Sequence, residues 1–516
     1  MKNKQTAKYF QLPLAILGSS LLALPIASGS LLAAERPNVL LCISDDQSYA
    51  HTGANGDPIV KTPAFDRVAR EGVRFTRAFC DAPTCGPSRS AILTGQHIWR
   101  LKEAGNIHST LPAEFATYTD MLADAGYFVG STGKSWSPGR LEPGGRTENP
   151  AGPLFTDRKL KPPHGGLSNK DYAGNFEDFL SQRPQGTPFC FWLGTHESHR
   201  GFELGVGAKS GKDSNEVKVP AFFPDHPVVR NDMLDYYVEV EYFDSVVANA
   251  IAQLEQVGEL DNTIVVVTSD HGMPFPRAKA SLYDAGTRVP LAVRWPARIK
   301  EPSRVSDALV NLSDLAATFL LAAGLQPHPA MTSRSLMSEL TLSGPIPQAH
   351  AFNRAFIAME RHDGCRRGGK GYPCRALRTA KFLYIKNYEP DRWPAGDPDA
   401  SVCARAIPFG EVDSSPTKQL LLDNADDPEF RRFYDLAFAK HPAEELYDLA
   451  KDTDQINNVA DDPAYAPTLR KLREEANDYQ INTEDPRATG KEALWDYYPY
   501  YGLRRNQDWK VDAKPE

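Results

Sequence analysis

The sequence predicts an α/β fold in which helices cover both faces of a layered sheet, with a smaller sheet towards the C-terminus. Short apolar runs such as Asn38–Ser44 (NVLLCIS) alternate with helix-compatible segments along the first two thirds of the chain. A continuous apolar run, as opposed to an alternating one, suits a central parallel strand covered on both sides. These runs end on chemically capable residues (Asp45-Asp46, Gly133-Lys134, His196, Asp270-His271), and ligands bind at such strand ends in open α/β sheets.

Taken in order, Asn38–Ser44 is the first strand. Thr62-Pro63 reads as N-cap and first residue of a helix through Ala69, stopped at Gly72. A second helix starts at Cys85, with Pro87 in its first turn and a Thr94-Gly95 stop. A helix over residues 117–125 leads into a strand over 127–131, and strand–helix–strand alternation points to an α/β layered sheet. Residues 137–166 are rich in Pro and Gly, with Arg140, Arg146, Arg158 and Lys161 interspersed, as expected of a binding loop or a disordered segment. Strand 189–195, helix 233–256, strands 263–268 and 289–294 and helix 313–323 complete the large domain. Beyond about Ala351, strands at 356–360, 376–386 and 447–449 and a helix near 467–478 suggest a small sheet with a covering helix. The aromatic tail (Trp495, Tyr497, Tyr498, Tyr500, Tyr501) is expected to dock. The organisation expected is a signal peptide at 1–34, a catalytic domain at 35–350 and a C-terminal subdomain at 351–516.

The N-terminus carries Lys2, Lys4 and Lys8 before an apolar run broken by Pro13, Gly18, Pro25 and Gly29, with small residues at Ala33-Ala34. That pattern is a secretory signal, so the expected location is periplasmic or extracellular, with no stable membrane insertion after cleavage. A formal charge of −8 argues against nucleic-acid binding and requires local cations for any anionic substrate. The 7 cysteines are an odd number, consistent with one reserved for chemistry. Cys365, Cys374 and Cys403 fall in a stretch where an export compartment would permit a disulfide, with the pairing left open.

The stretch Cys85-Gly86-Pro87-Ser88-Arg89, continued by Leu93-Thr94-Gly95, resembles the type I sulfatase signature at every defining position. In that family a maturing enzyme, either the formylglycine-generating or the anaerobic sulfatase-maturing type, oxidises the cysteine to formylglycine. Ser269-Asp270-His271-Gly272, Pro274-Phe275-Pro276 and Leu282-Tyr283 look most like the heparan N-sulfatase branch, as do residues 375–387 and Glu445–Leu449. The resemblance implies an alkaline-phosphatase-like three-layer sandwich with a smaller antiparallel C-terminal sheet. It also implies a sulfated carbohydrate as substrate partner.

Within that resemblance, Asp45, Asp46, Asp270 and His271 form a metal site with residue 85. Three carboxylates favour Ca²⁺, with Mg²⁺ behind it, and the histidine, where relatives usually carry Asn, leaves Zn²⁺ or Mn²⁺ open. Arg89, Lys134 and Lys279 are the expected catalytic cations, and His196 matches a histidine that protonates the leaving group. His199, Arg200, His362 and Arg366 are the expected substrate contacts. The basic cluster Arg361, His362, Arg366, Arg367, Lys370 and Arg375 has two readings, a pocket border or a solvated loop. Where many sulfatases have Gly-Lys-x-His, this chain has Gly133-Lys134-Ser135-Trp136, so either another histidine (His97 and His108 are candidates) takes that role or turnover depends on a different base. Two rival readings are a phosphomonoesterase or phosphodiesterase of the same superfamily and a non-catalytic binder of sulfated glycans.

Overall fold

The computed structural model describes residues 36–343 and 352–514, which belong to one unit covering residues 36–516. The expected signal segment and the 350/351 boundary lie outside the described residues.

Seven strands make the large sheet: β1 (Asn38–Ser44), β2 (Val73–Phe79), β3 (Phe128–Gly133), β4 (Phe189–Gly194), β5 (Thr263–Ser269), β6 (Arg288–Arg294) and β7 (Arg304–Asn311). Their spatial order is β3-β4-β1-β5-β6-β2-β7. β3, β4, β1 and β5 run parallel, β6 is antiparallel to both of its neighbours, and β2 pairs parallel with β7. β1 is the parallel central strand its composition predicts. Val39, Leu41 and Ile43 enter one core while Leu40 and Cys42 enter the other, so both faces of the strand are dry. Burying each such side chain is worth about 1.5–3 kcal/mol.

Three helices cover the Leu40 face: α1 (Pro63–Glu71), α4 (Tyr172–Gln182) and the long helix Pro227–Gln256, through Phe65, Val68, Phe176, Phe179, Phe243 and Val247. The opposite face carries α2 (Cys85–Thr94), α3 (Tyr118–Asp124) and the helix Asp314–Ala322, through Ile92, Leu93, Tyr118, Leu122, Leu315 and Phe319. This is the three-layer, alkaline-phosphatase-like architecture.

The second sheet holds β8 (Ala355–Met359), β9 (Cys374–Arg378), β10 (Phe382–Asn387) and β11 (Glu444–Asp448), all antiparallel in the order β11-β10-β9-β8. The single strand read over 376–386 is two strands joined by a turn in which Thr379 N donates to Phe382 O. Helix Ala466–Asn482 covers this sheet, contributing Leu469, Leu472 and Ala476 to its core. The aromatic tail docks. Trp495 Nε1 donates to Lys102 O at 3.0 Å and Tyr501 N donates to His108 O at 2.7 Å.

Other expectations are corrected. Of the two readings of residues 137–166, the disordered one gives way to an ordered segment along β3, where Phe155 packs on Phe128, Phe179 and Phe191. All seven cysteines are free, Cys365, Cys374 and Cys403 among them. β2 and β7 were not anticipated from the sequence: β2 alternates arginine with apolar residues and β7 is a half-exposed edge strand, so neither forms a continuous apolar run.

Candidate active site

The site lies beyond the C-terminal ends of β1, β3, β4 and β5, at the start of α2. Cys85 opens α2, with Thr84 as the extended residue before it (φ −159°, ψ 132°), so residue 85 faces the unpaired N–H groups of the first turn. Gly95 ends the helix in the left-handed region at φ 62°. Ser88 Oγ donates to Asp270 O at 2.6 Å, tying the helix start to the end of β5.

Three groups converge on Cys85 Sγ. Asp45 Oδ1 lies at 3.4 Å, His271 Nε2 at 3.3 Å and Lys134 Nζ at 3.2 Å, while Lys134 also pairs with Asp45 Oδ2. Lys134 is delivered by Gly133, whose φ of 71° and proximity to Gly194 O leave no room for a Cβ. Asp46 follows directly and adopts a left-handed φ of 64°, which Asp tolerates better than most residues. Its Oδ2 pairs with Lys279 Nζ at 2.5 Å and its Oδ1 lies 3.0 Å from His271 Nε2. Asp270 accepts from Arg89 Nε at 2.9 Å and, through Oδ1, from the backbone N–H groups of Asp46 and His271. Arg89 is fully buried and also donates to the carbonyls of Lys134 and Ser135.

The charges are strongly perturbed. Burial pushes the carboxyls of Asp45 and Asp46 up, yet Lys134 beside the first and Lys279 beside the second hold both below the usual carboxylate range. Burial pulls the two lysines down, but Asp45 and Asp46 outweigh it and keep both ammoniums charged. Burial, then Asp45, pushes the Cys85 thiol well above its ordinary value, so it is neutral at pH 7 and a poor nucleophile as it stands.

The residues fit a divalent cation. Asp45, Cys85, Asp270 and His271 each offer a ligand atom, all within 4.8 Å of one another, and the buried Asp46 Oδ1 makes no well-directed hydrogen bond. Inward-facing carboxylates with an unsatisfied oxygen make an electron-rich donor set suited to a hard cation.

His196 follows β4 and stands exposed to solvent, with its N–H held by Tyr172 Oη at 3.1 Å. The surrounding protein and then the Lys134 ammonium bring its pKa down to about 4. His199 lies 4.0 Å from Asp413. His362 Nδ1 is 2.6 Å from Thr84 Oγ1, at the very start of α2.

Two expected substrate contacts are engaged elsewhere. Arg200 forms a two-pronged pair with Asp232, donates to Pro274 O and stacks between Phe202 and Phe275. Arg366 donates to Glu411 and to the carbonyls of Trp393 and Pro394. The basic cluster is neither a solvated loop nor a pocket border throughout: Arg361 and Arg375 are buried and bonded to carbonyls and carboxylates.

Trp136 turns into the core and donates to Ser90 Oγ at 2.8 Å. His97 cannot serve the site as a free base, because Nε2 bonds Tyr479 Oη at 2.7 Å, Nδ1 is 3.4 Å from Asp81 and the ring stacks on Trp99. His108 is within electrostatic reach of Lys134, and burial lowers its pKa. Sequence reasoning missed Asp413, whose only local signal is one acidic residue in a loop.

Residues 37–325 match the Sulfatase family. Human N-sulphoglucosamine sulphohydrolase is 28% identical over 487 residues, covering 87% of this chain and 91% of that protein. An ulvan-active sulfatase of Formosa agariphila is 26% identical over 473 residues, covering 86% and 74% respectively. Among solved structures, one in complex with its substrate D-glucosamine-2-N,6-O-disulfate superposes with a TM-score of 0.63 at 20% identity, covering 89% of this chain and 100% of that one. The phosphonate monoester hydrolase of Agrobacterium radiobacter gives 0.60 at 18% identity, covering 87% and 97%. Such distant likenesses establish the fold alone, whereas the family match spans more than half the chain and includes the Cys85 helix and all four carboxylate and histidine positions around it. The chain belongs to the sulfatase family and is a sulfuric ester hydrolase.

Proposed function

We propose that this protein is exported, matured at Cys85 to formylglycine by a dedicated enzyme, and removes sulfate from a sulfated carbohydrate, with N-sulfoglucosamine as the favoured unit. The observation that carries the reading is the convergence of Asp45, Lys134 and His271 on Sγ of a neutral, buried Cys85 at a helix start. Similarity to human N-sulphoglucosamine sulphohydrolase along most of both chains favours the N-sulfated sugar.

Formylglycine at residue 85, when hydrated, would supply the nucleophilic hydroxyl, and Asp45, Asp46, Asp270 and His271 would hold a Ca²⁺ or similar ion that would neutralise charge there. The chain's own groups do the rest. Lys134 and Lys279 present ammoniums to the sulfate oxygens as charge develops. Arg89 locks Asp270 and the β3 end around residue 85, so their positions do not have to reorganise during the reaction. His196, neutral at pH 7, donates a hydrogen bond to the departing oxygen or nitrogen. It becomes a proton donor when the bound sulfate's negative charge raises its pKa. His108 and His362 are the candidates to take a proton during recovery of residue 85, since His97 is sequestered and Trp136 is core.

The test is sulfate release from a panel of N- and O-sulfated saccharides, using protein whose residue 85 is identified by mass spectrometry. Release that requires formylglycine and is greatest with N-sulfoglucosamine is expected. Phosphoester turnover by protein with unmodified Cys85, without sulfate release, rejects the reading.

A further inference from the structure

The C-terminal part of the chain places one carboxylate beside this site without giving its Oδ2 a hydrogen-bond donor. Asp413 Oδ2 lies 3.7 Å from Lys279 Nζ and 4.0 Å from His199 Nε2, beyond hydrogen-bond reach of either. Among the described residues it accepts no hydrogen bond, while the side chain keeps 15% of its surface open. Burial pushes this carboxyl up, but Lys279, followed by His199, His362 and Arg405, holds it below the usual range, so it is an anion.

The loop that presents it is firmly braced. Lys418 Nζ donates to Pro408 O, Phe409 O and Val412 O at 2.8–2.9 Å, using all three of its protons. Glu411 accepts from Arg366 Nη1 at 2.6 Å and from Asp363 N at 2.8 Å. Phe409 packs against Phe438 and Trp393. Residues on either side thus have their polar groups satisfied internally, whereas Asp413 is held still with an unmet acceptor. A buried carboxylate oxygen such as Oδ2, left without a donor, costs free energy, which a ligand donor recovers.

Lys279 defines what that ligand is. If its ammonium meets a sulfate oxygen, Asp413, one contact further, faces the sugar next to the sulfated position. We propose that Asp413 accepts a hydrogen bond from a free hydroxyl on the sugar carbon adjacent to the one bearing the scissile sulfate. The substrate is thereby restricted to units unsulfated at that neighbour. A second sulfate there meets an anion instead of a cation, and a missing hydroxyl leaves the carboxylate unpaired. This inference rests on the sulfated-sugar reading above.

Binding can be measured without turnover on the unmatured Cys85 chain loaded with Ca²⁺, by calorimetry with N-sulfoglucosamine, its 3-deoxy analogue and its 3-O-sulfo analogue. A hydrogen bond to a charged acceptor predicts that the wild type prefers the parent sugar by about 10- to 100-fold in Kd. Asp413→Ala is expected to shrink that preference to within about 3-fold by removing the same interaction. Asp413→Asn, which keeps shape and one acceptor oxygen, guards against a folding artefact. It is expected to retain part of the preference over the 3-deoxy sugar while admitting the 3-O-sulfo sugar. A uniform loss across the three sugars means that Asp413 only positions Lys279, and overturns the inference, as does an unchanged preference in Asp413→Ala. Failure of the wild type to bind N-sulfoglucosamine overturns the substrate reading together with it, whereas binding with unchanged preference overturns the Asp413 role alone.

Discussion

In the small sheet, Arg375 is buried and donates to both oxygens of Asp485 at 2.7 and 3.1 Å, to Glu360 Oε1 at 2.7 Å and to the carbonyls of Met359 and Cys374. At the end of the large sheet, Arg89 is as deeply buried, yet its Nη2 finds no acceptor and lies 3.8 Å from Asp45 Oδ1. Asp46 Oδ1 and Asp413 Oδ2 nearby are unsatisfied as well. Both regions remove arginine and carboxylate from water at a cost of several kcal/mol per ion. Around Arg375 the protein returns that cost internally, with matched donors and acceptors. Around Arg89 the ions converge on a common point and leave acceptors open, an arrangement suited to a bound cation and an anionic substrate. Saturation distinguishes the Arg375 cluster from the Arg89 cluster, although the two have nearly the same composition.

The contrast can be broken most severely at its centre. Cys85→Ala is expected to lower sulfate release by about 10⁴-fold or more, since no other group supplies the nucleophile, while the melting temperature stays close to wild type. Sulfate-release assays read with a parallel melting curve decide this, and substantial residual turnover counts against the mechanism. Next, chelation is expected to abolish release and to lower the melting temperature, because Asp45, Asp46 and Asp270 lose the charge that balances them. Restoring Ca²⁺ should recover both, by about 3–4 kcal/mol at 100- to 1,000-fold excess over Kd. A melting temperature indifferent to chelator would mean that this donor set binds no cation.

On the structural side, Arg375→Met is expected to cost about 3–5 kcal/mol, because Asp485 and Glu360 remain buried without their partner. The kcat/KM of the folded fraction should be unaltered. A selective loss of activity would move this arginine to the substrate border. The smallest effect concerns Glu239, buried near Glu197, whose Oε1 lacks a partner and whose pKa is pushed up to about 9 by burial, then by Glu197 and Asp235. Its folded value lies above the ordinary carboxylate value, so the folded state holds an extra proton between about pH 4.5 and 9. Stability from that proton is complete at the acid end of the window and is lost as pH rises through it. Glu239→Gln should therefore raise the melting temperature by a few degrees at pH 8 and by little at pH 5. Equal shifts at both pH values would refute the buried-proton account.

Much of the site was legible in the sequence because its chemistry is written in contiguous residues. Cys85 through Gly95 contains both the proposed nucleophile precursor and the helix that orients it, and Asp45-Asp46 and Asp270-His271 each follow an apolar run ending where the sheet ends. The basic stretch after Arg361 was ambiguous for a physical reason. Whether an arginine is solvated, structural or ligand-binding depends on its acceptors, and those of Arg366 and Arg375 lie at Glu411 and Asp485, far along the chain. Trp136 was read against a histidine motif, but its indole fills the core behind α2, and the local residue string records nothing of that direction. β2 and β7 escaped because half-covered strands lack the continuous apolar signal of β1.

The sequence by itself determined the central strands, the helix at residue 85 and the cluster of acids, lysines and histidine that make a sulfatase, because these follow from local periodicity and short motifs. Only the tertiary structure decided which arginines are clamps, which histidine is sequestered, and that Asp413 comes within 3.7 Å of Lys279 across 134 positions of chain. Those outcomes depend on long-range pairing and on whether a buried polar atom has found its partner. Neither is encoded in any window of neighbouring residues.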